Sequence, residues 1–332
     1  MIAKGKLKII WLNTKKYYRR VKENHVTVGV CSLIIVASAV YIFECIDNKE
    51  FDAKGLLTET YGFLWDILLF GILVVIVDNW RTKKERFIRY AEELADYKDW
   101  NQEEGIYRKA GIIKRFSLSK EKLPPLHYFY LEGVNLRGLE LKEVDLFRSK
   151  LNRAILSDTD FNKAFLRASE FNEADITYAT LNGADFGGSD LVGAKLNNSR
   201  LIETDFSASN LKNAKLFNSD LSKAKFIDAI LAGAEFTQSK VVNAQFNGAN
   251  LRAAIFLQTN LSGANLKKTD LRDVDFCHAD LRGVELGGAK GYTASQISHA
   301  KTLYGVKNLD PEIEKELREN GKSDLLDKEP EE

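Results

Sequence analysis

Between positions 131 and 286 every fifth residue is apolar: 21 Leu, nine Phe, Ile176 and Val241 make 32 consecutive hits without an insertion. A period of five fits neither the 3.6-residue helix nor the two-residue strand. It must describe one side of a polygonal coil. Two residues before each large position the side chain is small from Ser149 onward, with Val274 and Val284 as exceptions. Directly before the large position Asp or Asn is frequent, as in Asp145, Asp160, Asp185 and Asn250. Phe186, Phe206, Phe226 and Phe246 are spaced by twenty, and so are Phe236, Phe256 and Phe276. Four pentapeptides per turn would stack these rings at the strand spacing of about 4.8 Å. Thirty-two repeats then predict eight coils, a rod about 38 Å tall.

That geometry assigns each side chain. The large residue fills the coil centre, the small residue two earlier also points inward, and the other three point outward and are expected to vary freely. Backbone hydrogen bonds pass between coils, which accounts for the absence of Pro from the repeats. The open ends of such a stack need caps. Leu126, Tyr128, Phe129 and Leu131 crowd apolar bulk at the start. At the other end, Thr293 and Gln296 form a capping-box pattern. Asp310, Pro311 and Glu312 start a second helix with Ile313 and Leu317 on one face and Gly321 as its stop. The acidic residues 322–332 are expected to be disordered.

Upstream, residues 26–46 form a run of 21 residues with Glu44 as the only charge, and about 20 apolar residues cross the hydrocarbon layer as a helix. The run is longer than a signal-peptide core and no small-residue cleavage pattern follows it. A lipoprotein signal fails as well, because Glu44 stands directly before Cys45. Residues 61–77 form a second predicted span interrupted by Asp66. Eight Lys or Arg against Glu23 in residues 1–25, and five against Glu85 in residues 81–90, put both ends of this hairpin in the cytoplasm. The expected location is the cytoplasmic membrane, multi-pass, with both termini inside. Apolar spacing at Phe87, Ala91, Leu94 and Tyr97, then at Ile106, Ala110, Ile113 and Phe116, predicts two linker helices that stop before Pro124 and Pro125. The expected organisation is therefore a basic N-terminus (1–25), a transmembrane hairpin (26–80), a helical linker (81–125), repeats (126–290), a helical cap (291–321) and an acidic tail (322–332).

Stretches such as Ala184, Asp185, Phe186, Gly187, Gly188 and Ala264, Asn265, Leu266, Lys267, Lys268 resemble the pentapeptide repeat family. The resemblance covers about half the chain. It implies an all-β solenoid, a right-handed quadrilateral β-helix, here preceded by the α-helical hairpin and linker and closed by a short α-helical cap. It also implies a binding scaffold more than an activity. Quinolone-resistance members resemble B-form DNA and bind type II topoisomerases, which requires an anionic rod. Residues 131–290 hold 21 acids and 20 bases, which argues against that role and against nucleic acid as a partner.

No Gly-rich phosphate loop, HExxH, paired-Cys motif or Ser-containing elbow is present, so no enzyme and no cofactor is expected. Three cysteines, Cys31, Cys45 and Cys277, cannot build a disulfide framework. Cys277, His278 and His299 come within about one coil of each other, a grouping read as incidental and not as a metal site. The leading expectation is a membrane-tethered, non-catalytic scaffold whose partners are the bilayer and a cytoplasmic protein or a second copy of the chain. The alternative makes the hairpin a channel or membrane-perturbing effector, with Asp66 and Glu44 as its polar residues. The candidate interaction patch is Phe217, Ile255 and Leu257, which flank one core column. Two other readings stand beside it: scattered surface residues, or a face covered by the terminal helix.

Overall fold

The computed structural model describes residues 53–119 and 122–329, with side chains from residue 65 onward. The described residues divide into two units between residues 90 and 91. Helix α1, Ala53–Asp96, and helix α2, Glu103–Ser119, precede the repeats.

In the repeats, each residue before a large position forms a parallel bridge with the residue twenty further on, from Tyr130 with Lys150 to Asp270 with Lys290. One turn is therefore four pentapeptides. Amides link the coils at both sides of each bridge, as at Arg200 and Asp220, where Leu201 N–H donates to Asp220 O at 2.7 Å and Asp220 N–H to Ser199 O at 3.1 Å. The large residues are buried throughout. Phe186, Phe206, Phe226 and Phe246 stack with centroid distances of 5.0, 5.2 and 4.8 Å. Phe236, Phe256 and Phe276 form a second stack at 4.7 and 5.7 Å. The two stacks interlock edge to face, with Phe226 and Phe236 at 5.9 Å and 90°, a favoured arrangement of aromatic quadrupoles.

Small inward residues that carry a hydroxyl are buried without loss of hydrogen bonding. Ser199 N–H donates to Ser219 Oγ and Ser219 N–H to Ser239 Oγ, both at 3.1 Å. Ser219 Oγ in turn donates to Leu196 O at 2.9 Å. Ser219 Oγ and Ser239 Oγ thus both accept and donate, which offsets the cost of burying a polar group.

The outward positions are not free to vary, contrary to the sequence expectation. Asp or Asn before the large residue accepts from the N–H two residues on, as Asp205 does from Ser207 at 2.9 Å and Asn260 from Ser262 at 3.0 Å. This is an Asx turn, and it explains the frequency of those residues. Two residues after each large position, the backbone lies at positive φ in all 32 repeats. Ten of those positions are Gly and none is Val, Ile or Thr, because β-branched side chains are strained there. Ala208, at φ 56°, tests the point. Ala208→Val is expected to lower unfolding free energy by about 1 to 2 kcal/mol, whereas Ala208→Gly should cost nothing measurable by urea titration.

Both ends of the stack are closed. At the start, α2 supplies side chains where a preceding coil would supply backbone. Lys109, fully buried, donates from Nζ to Trp100 O at 2.8 Å, to Lys98 O at 3.4 Å and to Tyr130 O. Ser117 Oγ accepts from Glu140 N–H at 3.0 Å. Ile112, Ile113 and Phe116 of α2 are buried with Leu94, Leu126 and Phe129. At the far end a partial ninth turn adds with an offset of 22, Asp280 bridging Thr302 and Glu285 bridging Lys307. Helix α3, Ala294–Ile297, is N-capped by Thr293 in a reciprocal capping box with Gln296. Helix α4, Pro311–Glu319, is capped by Asp310 and buries Leu317.

Residues 322–332 were expected to be disordered, and the structure corrects this in part. Helix α5, Ser323–Asp327, is ordered there. Leu325 O accepts from Leu303 N–H at 2.7 Å, so the segment satisfies an amide of the last turn. Arg318 holds Asp327 at 2.9 Å.

Among the described residues no helix is long and apolar enough to cross a membrane. The expected second span lies on α1. Its seventeen residues, 61–77, rise about 26 Å against a hydrocarbon layer of about 30 Å, and Asp66 lies within that run while Asp78 ends it. The expected first span at 26–46, Glu44, the basic stretch 1–25 and residues 47–52 lie outside the described residues.

Candidate interaction surface

The repeat turns side chains outward in vertical columns, so a surface is read by counting in twenties. Phe217 and Leu257 share the column that follows the large residue, two coils apart, with Thr237 between them and Cys277 next. Ile255 lies in the column on the other side of the same core residues. All three apolar side chains are half-buried.

The surroundings add what the sequence reading missed. Two adjacent columns, Thr177, Asn197, Phe217, Thr237, Leu257, Cys277 and Tyr178, Asn198, Asn218, Gln238, Gln258, His278, contain no charged residue. The same two columns on the other three faces carry five to seven charges each over the eight coils. In the first two coils of these two columns stand their only charged residues, Arg137 and Asp158, which pair with each other at 2.9 Å. Gln238 Nε2 donates to Gln258 Oε1 at 2.9 Å, an amide ladder along the strip. Tyr178 is 62% exposed. The signal was in the sequence, but only as an absence of charge at a spacing of twenty.

Elsewhere the charges balance face by face. Taking the three outward columns of each face, the four faces hold six acids and six bases, five and five, six and six, and four and three. Many pair along the axis, as Glu203 with Lys223 at 3.1 Å and Glu132 with Arg153 at 2.7 Å. Exposed pairs of this kind add little stability, but they leave no face with a net charge beyond one.

A second cluster, also missed, sits at the start of the repeats. Phe147 meets Tyr128 edge to face at 5.9 Å, Arg148 lies 5.2 Å above the Phe147 ring, and Lys98 lies 5.2 Å above Tyr128. Phe165, in the next coil, is 53% exposed. An open cleft of about 540 Å³ is lined by Glu93, Glu103, Glu104, Tyr107, Arg108 and Arg115. Within it Arg108 pairs with Glu104 at 2.7 Å, which neutralises its charge.

The remaining sequence candidates do not assemble. Among the described residues no group of three or more His, Cys, Asp or Glu is placed to hold a metal ion. His278 N–H donates to His299 O at 2.8 Å, while His299 Nδ1 lies 2.8 Å from Ser295 O. Asp66 lies exposed on α1.

The repeat segment matches the family model described as Pentapeptide repeats in eight copies, over residues 130–167, 169–207, 209–248, 229–267, 244–283 and 259–290. The chain is similar to HetL, a pentapeptide repeat protein involved in heterocyst differentiation regulation from the cyanobacterium Nostoc sp. strain PCC 7120. Identity there is 23%, over 59% of this chain and 93% of HetL, with a TM-score of 0.48. A pentapeptide repeat protein of the Arabidopsis thaliana thylakoid lumen is 31% identical over 29% of this chain and 70% of its own, with a TM-score of 0.25. QnrB1, a plasmid-mediated fluoroquinolone resistance protein, is 18% identical over 56% of this chain and 96% of its own, with a TM-score of 0.30. No curated protein matches the chain.

Proposed function

The chain belongs to the pentapeptide repeat family, and from that premise we propose that it is a non-catalytic scaffold, tethered to the cytoplasmic membrane, whose solenoid binds protein through the uncharged strip around Phe217, Ile255 and Leu257. The observation that carries this reading is the strip itself. Depletion of charge with retained aromatic and aliphatic side chains marks the core of protein interfaces, and here it is confined to one face of a rigid rod. Two capped ends and axial hydrogen bonding keep that face from changing shape on binding.

Support for the tether is chemical. On α1 the side chains of Trp65, Leu68, Leu69, Phe70, Ile72, Leu73, Ile76 and Val77 are each about half exposed or more. A helix that is apolar all round belongs in a membrane or a core. Residues 26–46 add an apolar run of sufficient length, and the basic flanks favour both termini inside.

A DNA-mimicking role has no matching surface, since a stand-in for duplex DNA needs a charge about every 1.7 Å and each face here is neutral to within one charge. The channel reading rests on Asp66 and Glu44 alone.

Two experiments test the proposal. With native cysteines replaced, a cysteine at Asn48 should react with an impermeant reagent from outside the cell and one at Ser323 should not. The reverse pattern, or a chain that fractionates away from membranes, removes the tether. Phe217→Glu with Leu257→Glu should leave folding and fractionation intact and abolish partner crosslinking; unchanged crosslinking places the interface elsewhere.

A further inference from the structure

We propose that the basic stretch of α1 directly after its apolar run, Arg81 to Arg89, is a collar for the headgroups of anionic phospholipids. This inference rests on the tether reading and names the lipid class that the tether meets. Five bases, Arg81, Lys83, Lys84, Arg86 and Arg89, stand here against Glu85 alone, and all five are exposed. At about 100° per residue they point to roughly 0°, 80°, 140°, 200° and 300° around the helix axis. A protein groove takes one face of a helix, whereas a ring of charge fits anions that surround the helix on every side. The headgroups of a leaflet do so. From Arg81 to Arg89 the collar rises about 12 Å, against a headgroup layer about 5 to 8 Å deep, and long basic side chains reach along the axis to close the difference.

The neighbouring residues agree. Trp80, 63% exposed, stands between the apolar run and the collar, the place Trp holds at membrane–water interfaces, and Lys84 Nζ lies 5.2 Å above its ring. Glu85 engages Arg81 at 2.9 Å. Among the described residues no ion pair holds Lys83, Lys84, Arg86 or Arg89. Beyond the collar the sign reverses, and residues 91–104 hold six acids against Lys98. A helix lying along an anionic surface would bring both signs to it; one that enters the surface brings the bases alone. Orientation by charge needs only an excess of bases on one side of the membrane. Direct headgroup contact needs them at one depth, on all sides and unpaired, as they are here.

Native mass spectrometry of the full chain, extracted in a neutral detergent and titrated with phosphatidylglycerol or phosphatidylcholine of the same acyl chains, reads the contact. The wild type is expected to bind phosphatidylglycerol about tenfold or more tighter than phosphatidylcholine, because each base near an anionic surface adds to the attraction, and the preference should shrink as salt is raised. Lys83→Gln with Arg86→Gln and Arg89→Gln should bring phosphatidylglycerol down to the level of phosphatidylcholine and leave the chain in the alkali-washed membrane fraction. The charge-preserving exchange Lys83→Arg with Arg86→Lys and Arg89→Lys should keep the preference, and its loss there would overturn the collar. Equal binding of the two lipids by a wild type that stays in the membrane fraction, or a preference that survives the triple Gln variant, would overturn the collar and keep the tether. A wild type washed out of membranes by alkali would overturn both. Wild-type dimers that separate in the triple Gln variant, with no lipid preference, would assign the bases to a second chain and overturn the proposal as well.

Discussion

Phe226→Ala is expected to lower unfolding free energy by about 3 to 5 kcal/mol, the range of buried Phe-to-Ala changes. Phe226 is fully buried and has three ring partners: Phe206 at 5.2 Å, Phe246 at 4.8 Å and Phe236 at 5.9 Å. Truncation removes the middle of one stack and the edge contact to the other. A solenoid holds each coil only through its neighbours, and the coils above and below are pinned by backbone bonds on all four sides, so the vacated space cannot collapse. Ser207→Ala, one coil below and pointing outward, should cost under about 0.5 kcal/mol. Urea unfolding of both variants measures the difference; equal losses would contradict the inward and outward assignment.

The second large effect is at Lys109. Its ammonium donates to Lys98 O, Trp100 O and Tyr130 O, and the last of these is a carbonyl that an earlier coil would otherwise have satisfied. Lys109→Met keeps the apolar stem and strands those acceptors, and an orphaned buried acceptor costs about 1 to 3 kcal/mol. A loss of about 3 kcal/mol is expected, localised to α2 and the first coil, where amide exchange should quicken first. Burial pushes Lys109 down from its ordinary 10.5 to about 8, with Asp99 opposing the shift. Between those values the unfolded chain binds the extra proton, so stability rises with pH. The wild type should therefore gain stability relative to Lys109→Met as pH is raised from about 8 to 10.5, and the gain should be absent below pH 8. A flat difference across that window would show that the ammonium is not desolvated.

The core of this fold was legible because it is periodic. A spacing of five named the inward residues, a spacing of twenty named the coil, and the Phe registers named the stacks. What stayed hidden has local or negative signals. Lys109 falls on the apolar stripe of α2 with Gly105, Ile112 and Phe116, and a lysine inside such a stripe is the sign of a buried ammonium; the spacing of Ile106, Ala110, Ile113 and Phe116 drew attention past it. The positive φ after each large residue is written as the absence of Val, Ile and Thr from 32 positions, which no motif search reports. The tail at Ser323–Asp327 is polar and acidic, so composition suggested disorder, while one backbone bond to Leu303 and the Arg318 pairs order it. On the surface, Phe217, Ile255 and Leu257 stood out as apolar, but the strip that unites them is defined by missing charge, and Tyr178 and Phe165 were passed over because single exposed aromatics are ordinary.

The central claim is that one face of the solenoid, and not the others, meets protein. A photoreactive amino acid placed at Thr237 in the full chain, and a second version with it at Ser207 on another face, measure this in native membranes. The account predicts a protein adduct from Thr237, of twice the chain's mass when the partner is a second copy, and none from Ser207. Equal adducts from both positions, or an adduct from Ser207 alone, would contradict it.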